Sequence, residues 1–294
     1  MLLFKEIELS DYETIAPLLA DETEQSCENT FVNLLIWQKT YQMMWAMEDG
    51  QLVIKNGAGA ETAFALPYGD DFEKGFALIR EYTGETYPDV WSPDGERFRR
   101  FRERLGEHYV IAEERDAFDY LYRQRDLAEL AGKKYHGKRN HLHSFDKKYE
   151  WHFEPICEQN TEAVLRCAER WYTENGDRMD QTLAEEQRGV TTMLMNREKL
   201  GVRGGAIFVG QEVAAFTLGS PVNDSVFDIH IEKSLPEYEE GYTVINYEFA
   251  KTLVDYPLIN REDDMGIEGL RKAKLSYHPV LLLPKYFCRA KEKP

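Results

Sequence analysis

Three consecutive strands set between helices occur once in each half of the chain, and this order restricts the fold more than any other feature of the 294 residues. In the first half, Met43–Glu48, Gln51–Asn56 and Thr62–Pro67 read as strands split by the turn pairs Asp49-Gly50 and Asn56-Gly57. In the second half, Ala206–Val209, Ala214–Ser220 and Val226–Glu232 repeat the pattern. A strand over Leu2–Leu9 and two helices, one opened by the Ser10/Glu13 capping box and one over Thr30–Thr40, precede the first triplet. An amphipathic helix over Asp71–Thr83, a strand at Val90–Ser92, a helix at Glu96–Leu105 and strand candidates within Tyr109–Arg125 follow it. The second half runs alike, from a strand at Trp151–Ile156 to a helix near Ile267–Tyr277 and a last strand at Val280–Arg289. Each half therefore reads β-α-α-β-β-β-α-β-α-β, which calls for a mixed sheet covered by helices and not a doubly wound parallel one.

At roughly 150 residues per domain, the length fits two such units. The expected division is 1–130 and 131–294, with the boundary between about 120 and 135. The element order resembles that of the GNAT (acyl-CoA N-acyltransferase-like) fold, and the fold class expected is α/β: two tandem GNAT-like domains with mixed central sheets.

Composition removes several classes. No apolar run approaches the roughly 18 residues of a membrane span, and Lys5 and Glu6 interrupt the start, which does not read as a secretory signal. The four cysteines lack CxxC spacing, so reduced thiols and a cytoplasmic setting are expected, with attachment at a membrane surface left open. The formal charge is 36 − 53 = −17. Such global acidity argues against a protein that coats nucleic acid or anionic lipid, but not against a local basic patch.

One such patch exists. Residues 132–149, GKKYHGKRNHLHSFDKKY, carry Lys133, Lys134, Lys138, Arg139, Lys147 and Lys148 against Asp146, a net of 6 − 1 = +5. Each cation can neutralise one phosphate of a nucleic acid or lipid, although a solvated helix face has the same look. His136, His141 and His143 do not share a helical spacing that converges on zinc, and no metal site is expected.

On the strand Val226–Glu232, alternation sends Phe227, Ile229 and Ile231 one way and Asp228, His230 and Glu232 the other. An acid–imidazole–acid face must meet either solvent or a cleft, and in a cleft it suits general-base work. In residues 260–279, Asn260 opens an acidic run, Glu262 to Asp264. The following helix sets Leu270, Ala273 and Tyr277 on an apolar stripe beside Arg271, Lys274 and His278. No Walker loop, dinucleotide fingerprint or Gly-x-Ser-x-Gly elbow is present.

These three blocks occur in the order seen in the C-terminal domain of phosphatidylglycerol lysyltransferases (lysylphosphatidylglycerol synthases). The chain resembles that family over about residues 130–290, and more distantly the Fem-type aminoacyltransferases. Gly132–Asn140 fits the basic segment that opens the family's second domain. Asp228 fits its central-strand Asp. Gly269, Leu270, Arg271, Lys274, Pro279, Pro284 and Tyr286 fit its last helix and strand. His230 and Glu232 stand where the lysyltransferases usually carry a basic residue.

The resemblance implies an active cleft and transfer of an aminoacyl group from aminoacyl-tRNA to a lipid, peptide or small-molecule acceptor, with no further cofactor. The catalytic residues it implies are Asp228, Arg271 and Lys274. The substrate-binding residues expected are Lys133, Lys134, Lys138, Arg139, His230, Glu232, Asn260 and His278. Partners expected are aminoacyl-tRNA and an anionic lipid surface. Two rival readings are an acyl-CoA-dependent N-acyltransferase and a non-catalytic module for RNA or an anionic surface. The first would need a phosphate-cradling loop before the Tyr242 helix, where the sequence is the acidic SLPEYEEG.

Overall fold

A computed structural model of the protein describes residues 1–21, 23–175 and 181–291. The chain forms two units. One holds Met1–Asp119, Asp263–Glu268 and the chain from Leu282 onward; the other holds Tyr120–Glu262 and Gly269–Leu281.

The first unit runs α1 (Tyr12–Leu19), α2 (Phe31–Trp37), β1 (Met44–Glu48), β2 (Gln51–Asn56), β3 (Ala63–Ala65), α3 (Phe72–Thr83), β4 (Val90–Pro93), α4 (Glu96–Leu105) and β5 (Tyr109–Glu113). The expected strand Leu2–Leu9 contracts to a bridge, Lys5 opposite Trp45. The start of the first helix moves as well. Asp11, not Ser10, organises the turn by accepting the Glu8 amide at 2.9 Å, and α1 begins at Tyr12.

The second unit runs β6 (Asp119–Arg123), α5 (Gln124–Glu129), α6 (His136–Lys148), β7 (Trp151–Pro155), α7 (Glu158–Glu174), α8 (Gln181–Met195), β8 (Arg203–Val209), β9 (Glu212–Pro221), β10 (Val226–Ser234), α9 (Gly241–Lys251), β11 (Leu258–Asn260), α10 (Glu268–Leu275) and β12 (Leu281–Leu283). The last strand, β13, is Lys285–Ala290.

The sheets are ordered β1-β2-β3-β4-β13-β5 and β7-β8-β9-β10-β11-β6-β12. In the first, β3 and β4 are parallel; in the second, β10 and β11 are parallel. The first sheet has six strands and the second seven, and the two orders correspond once the Lys5 bridge beside β1 is set against β7; each sheet receives one strand from the other half of the sequence. β6, which follows the first half's own strands, lies between β11 and β12. β13, which ends the second half, lies between β4 and β5. The contiguous division into 1–130 and 131–294 therefore differs from the observed one.

The physical reason lies at Pro284, which splits the expected strand Val280–Arg289 in two. Proline cannot donate to a ladder, so pairing stops, and β13 resumes in the other sheet. There Asp94 N donates to Pro284 O at 2.7 Å and Glu114 N to Lys285 O at 2.9 Å. Burial fixes the arrangement: Cys288 of β13 joins the core of Val53, Phe64, Phe76, Phe98 and Phe101, and Tyr286 stacks on Phe98 at 4.1 Å between ring centroids.

Candidate active site

The second sheet is irregular where its chemistry gathers. Pairing of β10 with β11 ends at Asp228 opposite Asn260, and β10 continues alone along that side to Ser234. On its other side β10 pairs with β9, with Asp228 opposite Ser220 and Ile229 opposite Gly219, after which Ile231 pairs with Leu218. His230 is the extra residue of this bulge. Gly219 permits it, because a Cβ there would overlap the Asp228 carbonyl and the Phe227 ring.

Val226 through Ile231 are buried on both faces, so the acid–imidazole side of the strand does not face solvent. His230 Nδ1 lies 3.2 Å from Asp228 Oδ2 and 3.1 Å from Glu262 Oε1, and its Nε2 lies 2.8 Å from Ser220 Oγ. The side chains of His230 and Asp228 have no exposed surface. With two carboxylates on Nδ1, the proton of a neutral ring belongs there, and Nε2 then accepts from the Ser220 hydroxyl. Asn260 is fully buried and turns the end of β11, its Oδ1 accepting the Glu262 amide at 2.7 Å.

A second group lies beyond the last β10/β11 pair. Arg261 Nη2 donates to Glu232 Oε1 at 2.9 Å, and Asn246 Nδ2 of α9 donates to Oε2 at 3.4 Å. The Arg261 guanidinium lies 4.9 Å from the centre of the Tyr277 ring, and Lys138 Nζ 3.7 Å from it. Burial, and then the neighbouring Arg261, bring the Lys138 pKa down to about 8. Tyr277 is pinned in place: its hydroxyl lies 3.4 Å from Thr243 Oγ1 and its carbonyl accepts Tyr135 OH at 3.0 Å.

The last helix departs from its expected stripe. Tyr277 is buried, but Leu270 is half-buried and Ala273 exposed, because α10 is only two turns long and keeps no residue fully buried. Lys274 Nζ donates to the Arg261 carbonyl at 2.5 Å, which ties α10 to the end of β11; Arg271 is half-buried. His278 is exposed, with Nε2 3.3 Å from the Lys134 carbonyl.

The basic segment divides by role. Lys133 is exposed, and Lys134 pairs with Asp126 at 3.4 Å. Arg139 is committed inward: its Nη1 holds the carbonyls of Leu130 and Gly132, both at positive φ. Lys148 pairs with Glu240 at 2.7 Å, leaving Lys138 facing the Arg261 group.

The N-terminus of α9, where an acyl-CoA pyrophosphate would need free amides, has Glu240 as its N-cap, and the Gly241 and Thr243 amides donate to the carbonyls of Tyr238 and Glu240 at 2.8 and 2.9 Å. Glu240 Oε1 accepts Ser144 Oγ at 2.6 Å and Lys148 Nζ at 2.7 Å. Burial works to raise its pKa, but these two donors keep the carboxyl below its usual range.

Ser220, Arg261, Glu262, Asn246 and Tyr277 were not singled out as site residues by their sequence pattern. Arg261 and Glu262 carried the one available signal, a charged pair at the end of an apolar strand.

The first unit holds a buried group of its own. Lys285 Nζ lies 2.8 Å from Asp119 Oδ1, 3.1 Å from Glu28 Oε1 and 3.4 Å from Cys27 Sγ. Burial alone would lower the Lys285 pKa, but Asp119, Cys27 and Glu28 hold it well above the ordinary value. Ser26 Oγ and the Cys27 amide both donate to Asp119 Oδ2 at 2.9 Å.

Comparison with known proteins agrees with this architecture. A crystal structure of a conserved protein of unknown function from Bacteroides thetaiotaomicron is 34% identical, with 99% of this chain and 100% of that one covered and a TM-score of 0.88. The C-terminal domain of a putative lysylphosphatidylglycerol synthetase from Agrobacterium fabrum is 13% identical over 97% of this chain and 92% of that one, with a TM-score of 0.69. FemX, 7% identical over 97% and 96% of the two chains, shares the fold with a TM-score of 0.55. A curated relative, an uncharacterised protein of Mycoplasmoides gallisepticum, is 25% identical over 180 residues, and the match spans 58% of this chain and 56% of that protein. The family described as "Phosphatidylglycerol lysyltransferase, C-terminal" matches residues 20–289, and the chain belongs to it.

Proposed function

We propose that the protein is an aminoacyltransferase that moves an aminoacyl group from aminoacyl-tRNA to a lipid, peptide or small-molecule acceptor. The observation that carries this reading is the fully buried Asp228, set beside His230 at the point where β10 and β11 part. An aminoacyl ester is already activated, so alignment with the acceptor supplies most of the acceleration. Asp228 draws the acceptor proton, directly or through His230, as the acceptor attacks the ester carbonyl. Arg271 and Lys274 stabilise the oxyanion that develops there. Lys133 and Lys134 hold donor phosphates in the turn that precedes α6, and Glu232, Asn260 and His278 line the surrounding site.

Acyl-CoA is the weaker donor. The Glu240 carboxylate at the α9 N-terminus would repel a pyrophosphate, and Ser144 and Lys148 already hold it in place. Among the described residues no helix is long and apolar enough to cross a membrane, so a lipid acceptor would be met at a bilayer surface.

The test is a pool of charged tRNA incubated with the protein, with and without anionic vesicles, peptides or small amines. Acceptor-dependent deacylation is expected. Unaltered deacylation rates with every acceptor, or release of free CoA from acyl-CoA in their place, overturn the reading.

A further inference from the structure

Lys285 Nζ, Cys27 Sγ and Asp119 Oδ1 form a closed triangle inside the first unit. The amine lies 3.4 Å from the sulfur and 2.8 Å from the carboxylate oxygen, and the thiol donates to that same oxygen at 3.3 Å. Each corner is also held from outside. The Cys27 amide and Ser26 Oγ both donate to Asp119 Oδ2 at 2.9 Å, and Glu28 Oε1 meets Lys285 Nζ at 3.1 Å. Cys27 is 4% exposed and Lys285 6%, so water does not compete for either group.

Ion pairing accounts for the lysine and its two carboxylates, but not for the sulfur. An ammonium has three hydrogens to donate. Asp119 and Glu28 take two of them, and the third goes to Cys27 Sγ, a weak acceptor. Cys27 is not part of a disulfide. A cation beside a thiol favours the thiolate, the form that oxidants attack. A nucleophilic nitrogen, an oxidisable sulfur and a carboxylate that touches both are thus held together.

We propose that Cys27 and Lys285 are a redox modification site, at which dioxygen joins the sulfur to the lysine nitrogen through one oxygen atom. One S–O bond and one O–N bond form. The dioxygen bond, the S–H bond and two N–H bonds break. Sulfur and nitrogen each give up two electrons, and dioxygen takes all four. Its second oxygen atom leaves as water with two of the hydrogens, and the remaining one departs as a proton through Asp119. A direct S–N bond would draw two anchored groups closer together than an inserted oxygen does, so the 3.4 Å gap favours the bridged form. Two equivalents of a dithiol reverse the step. They supply four hydrogens, restore the thiol and the amine, and release the bridging oxygen as water.

The bridge ties the short turn Cys27–Asn29 to the first residue of β13 and leaves the nitrogen uncharged. The exchanged strand is then held by a covalent link in place of ion pairs. None of the residues assigned to aminoacyl transfer takes part, so the site stands or falls separately from that reading.

The test uses the whole chain, purified with reductant, freed of it and held in air-saturated buffer with a metal chelator. The intact mass should rise by one oxygen less two hydrogens. A tryptic map should place the change on a joined pair of peptides holding Cys27 and Lys285, with cleavage after Lys285 lost. The oxidised chain should run faster on a non-reducing denaturing gel, because the link joins positions 258 residues apart. Dithiothreitol should reverse all of these changes. Cys27→Ser, whose hydroxyl keeps a donor for Asp119 and an acceptor for Lys285, should abolish the mass change, as should Lys285→Arg, which keeps the cation. Cys157→Ser, at the least buried of the four cysteines, should retain it. An unchanged mass in air, a gain of oxygen without loss of hydrogen, or a bridge that persists in Cys27→Ser overturns the site. Loss of two hydrogens with no oxygen gained overturns the oxygen bridge in favour of a direct S–N bond or a disulfide.

Discussion

Asp228 and Ser220 stand opposite each other on β10 and β9, and one imidazole reaches both: His230 lies 3.2 Å from Asp228 Oδ2 and 2.8 Å from Ser220 Oγ. Alternation puts Asp228 and His230 on one side of β10, and the bulge leaves His230 without a ladder partner on β9. A carboxylate with no exposed surface, backed by an imidazole, fits a proton acceptor more than a surface anchor.

The first prediction concerns that carboxylate. Asp228→Asn keeps the shape but removes the proton-accepting oxygen, and aminoacyl transfer should fall by about 10²–10⁴. Donor binding, measured by filter retention of charged tRNA, should persist. Full transfer by the variant removes Asp228 from the chemistry.

The basic segment gives a second prediction, sharpened by Arg139. Lys133, Lys134 and Lys138 changed together to Ala should weaken tRNA binding and flatten its salt dependence by about 2–3 units of log–log slope, at roughly 0.7–0.9 for each phosphate no longer neutralised. Arg139→Ala should leave the slope nearly unchanged and lower the unfolding midpoint, because its guanidinium holds the Leu130 and Gly132 carbonyls. A slope change from Arg139→Ala equal to that of a lysine would reverse this division.

The order of elements was legible from turn residues and alternation, which act over a few positions. What alternation cannot carry is the sheet a strand joins. β6 and β13 read as ordinary strands of their own halves, and only Pro284 marks where the chain leaves one ladder for another. The site divides the same way. Asp228, His230 and Glu232 were visible as a polar series on an apolar strand. The partners that give them meaning, Ser220, Glu262, Arg261 and Asn246, come from other segments. Helical spacing misplaced Ala273, since a stripe states which residues align and not how much of a two-turn helix is covered.

A third prediction tests the exchanged strand. Lys285 begins β13 and is buried between Asp119 and Glu28. Lys285→Met leaves both carboxyls without their cation and should cost about 3–5 kcal/mol, read as a lowered midpoint in urea. Asp119→Asn added to it should recover part of the loss. An unchanged midpoint in Lys285→Met would mean that this cation does not hold the strand in its sheet.

The fourth prediction concerns the glycine behind the bulge. Gly219 faces Ile229 across the ladder, and a methyl group there meets the Asp228 carbonyl, which is backbone and cannot rotate away. Gly219→Ala should therefore push β10 off β9 and draw Asp228 and His230 out of alignment. Overpacking of this kind costs about 1–3 kcal/mol. Stability and activity should part company: the protein should still fold, with a modestly lower urea midpoint, while transfer falls toward the level of Asp228→Asn. Valine at the same position should lower both further. Gly219→Ala at wild-type activity would show that the close approach of the two strands is not what aligns Asp228 and His230.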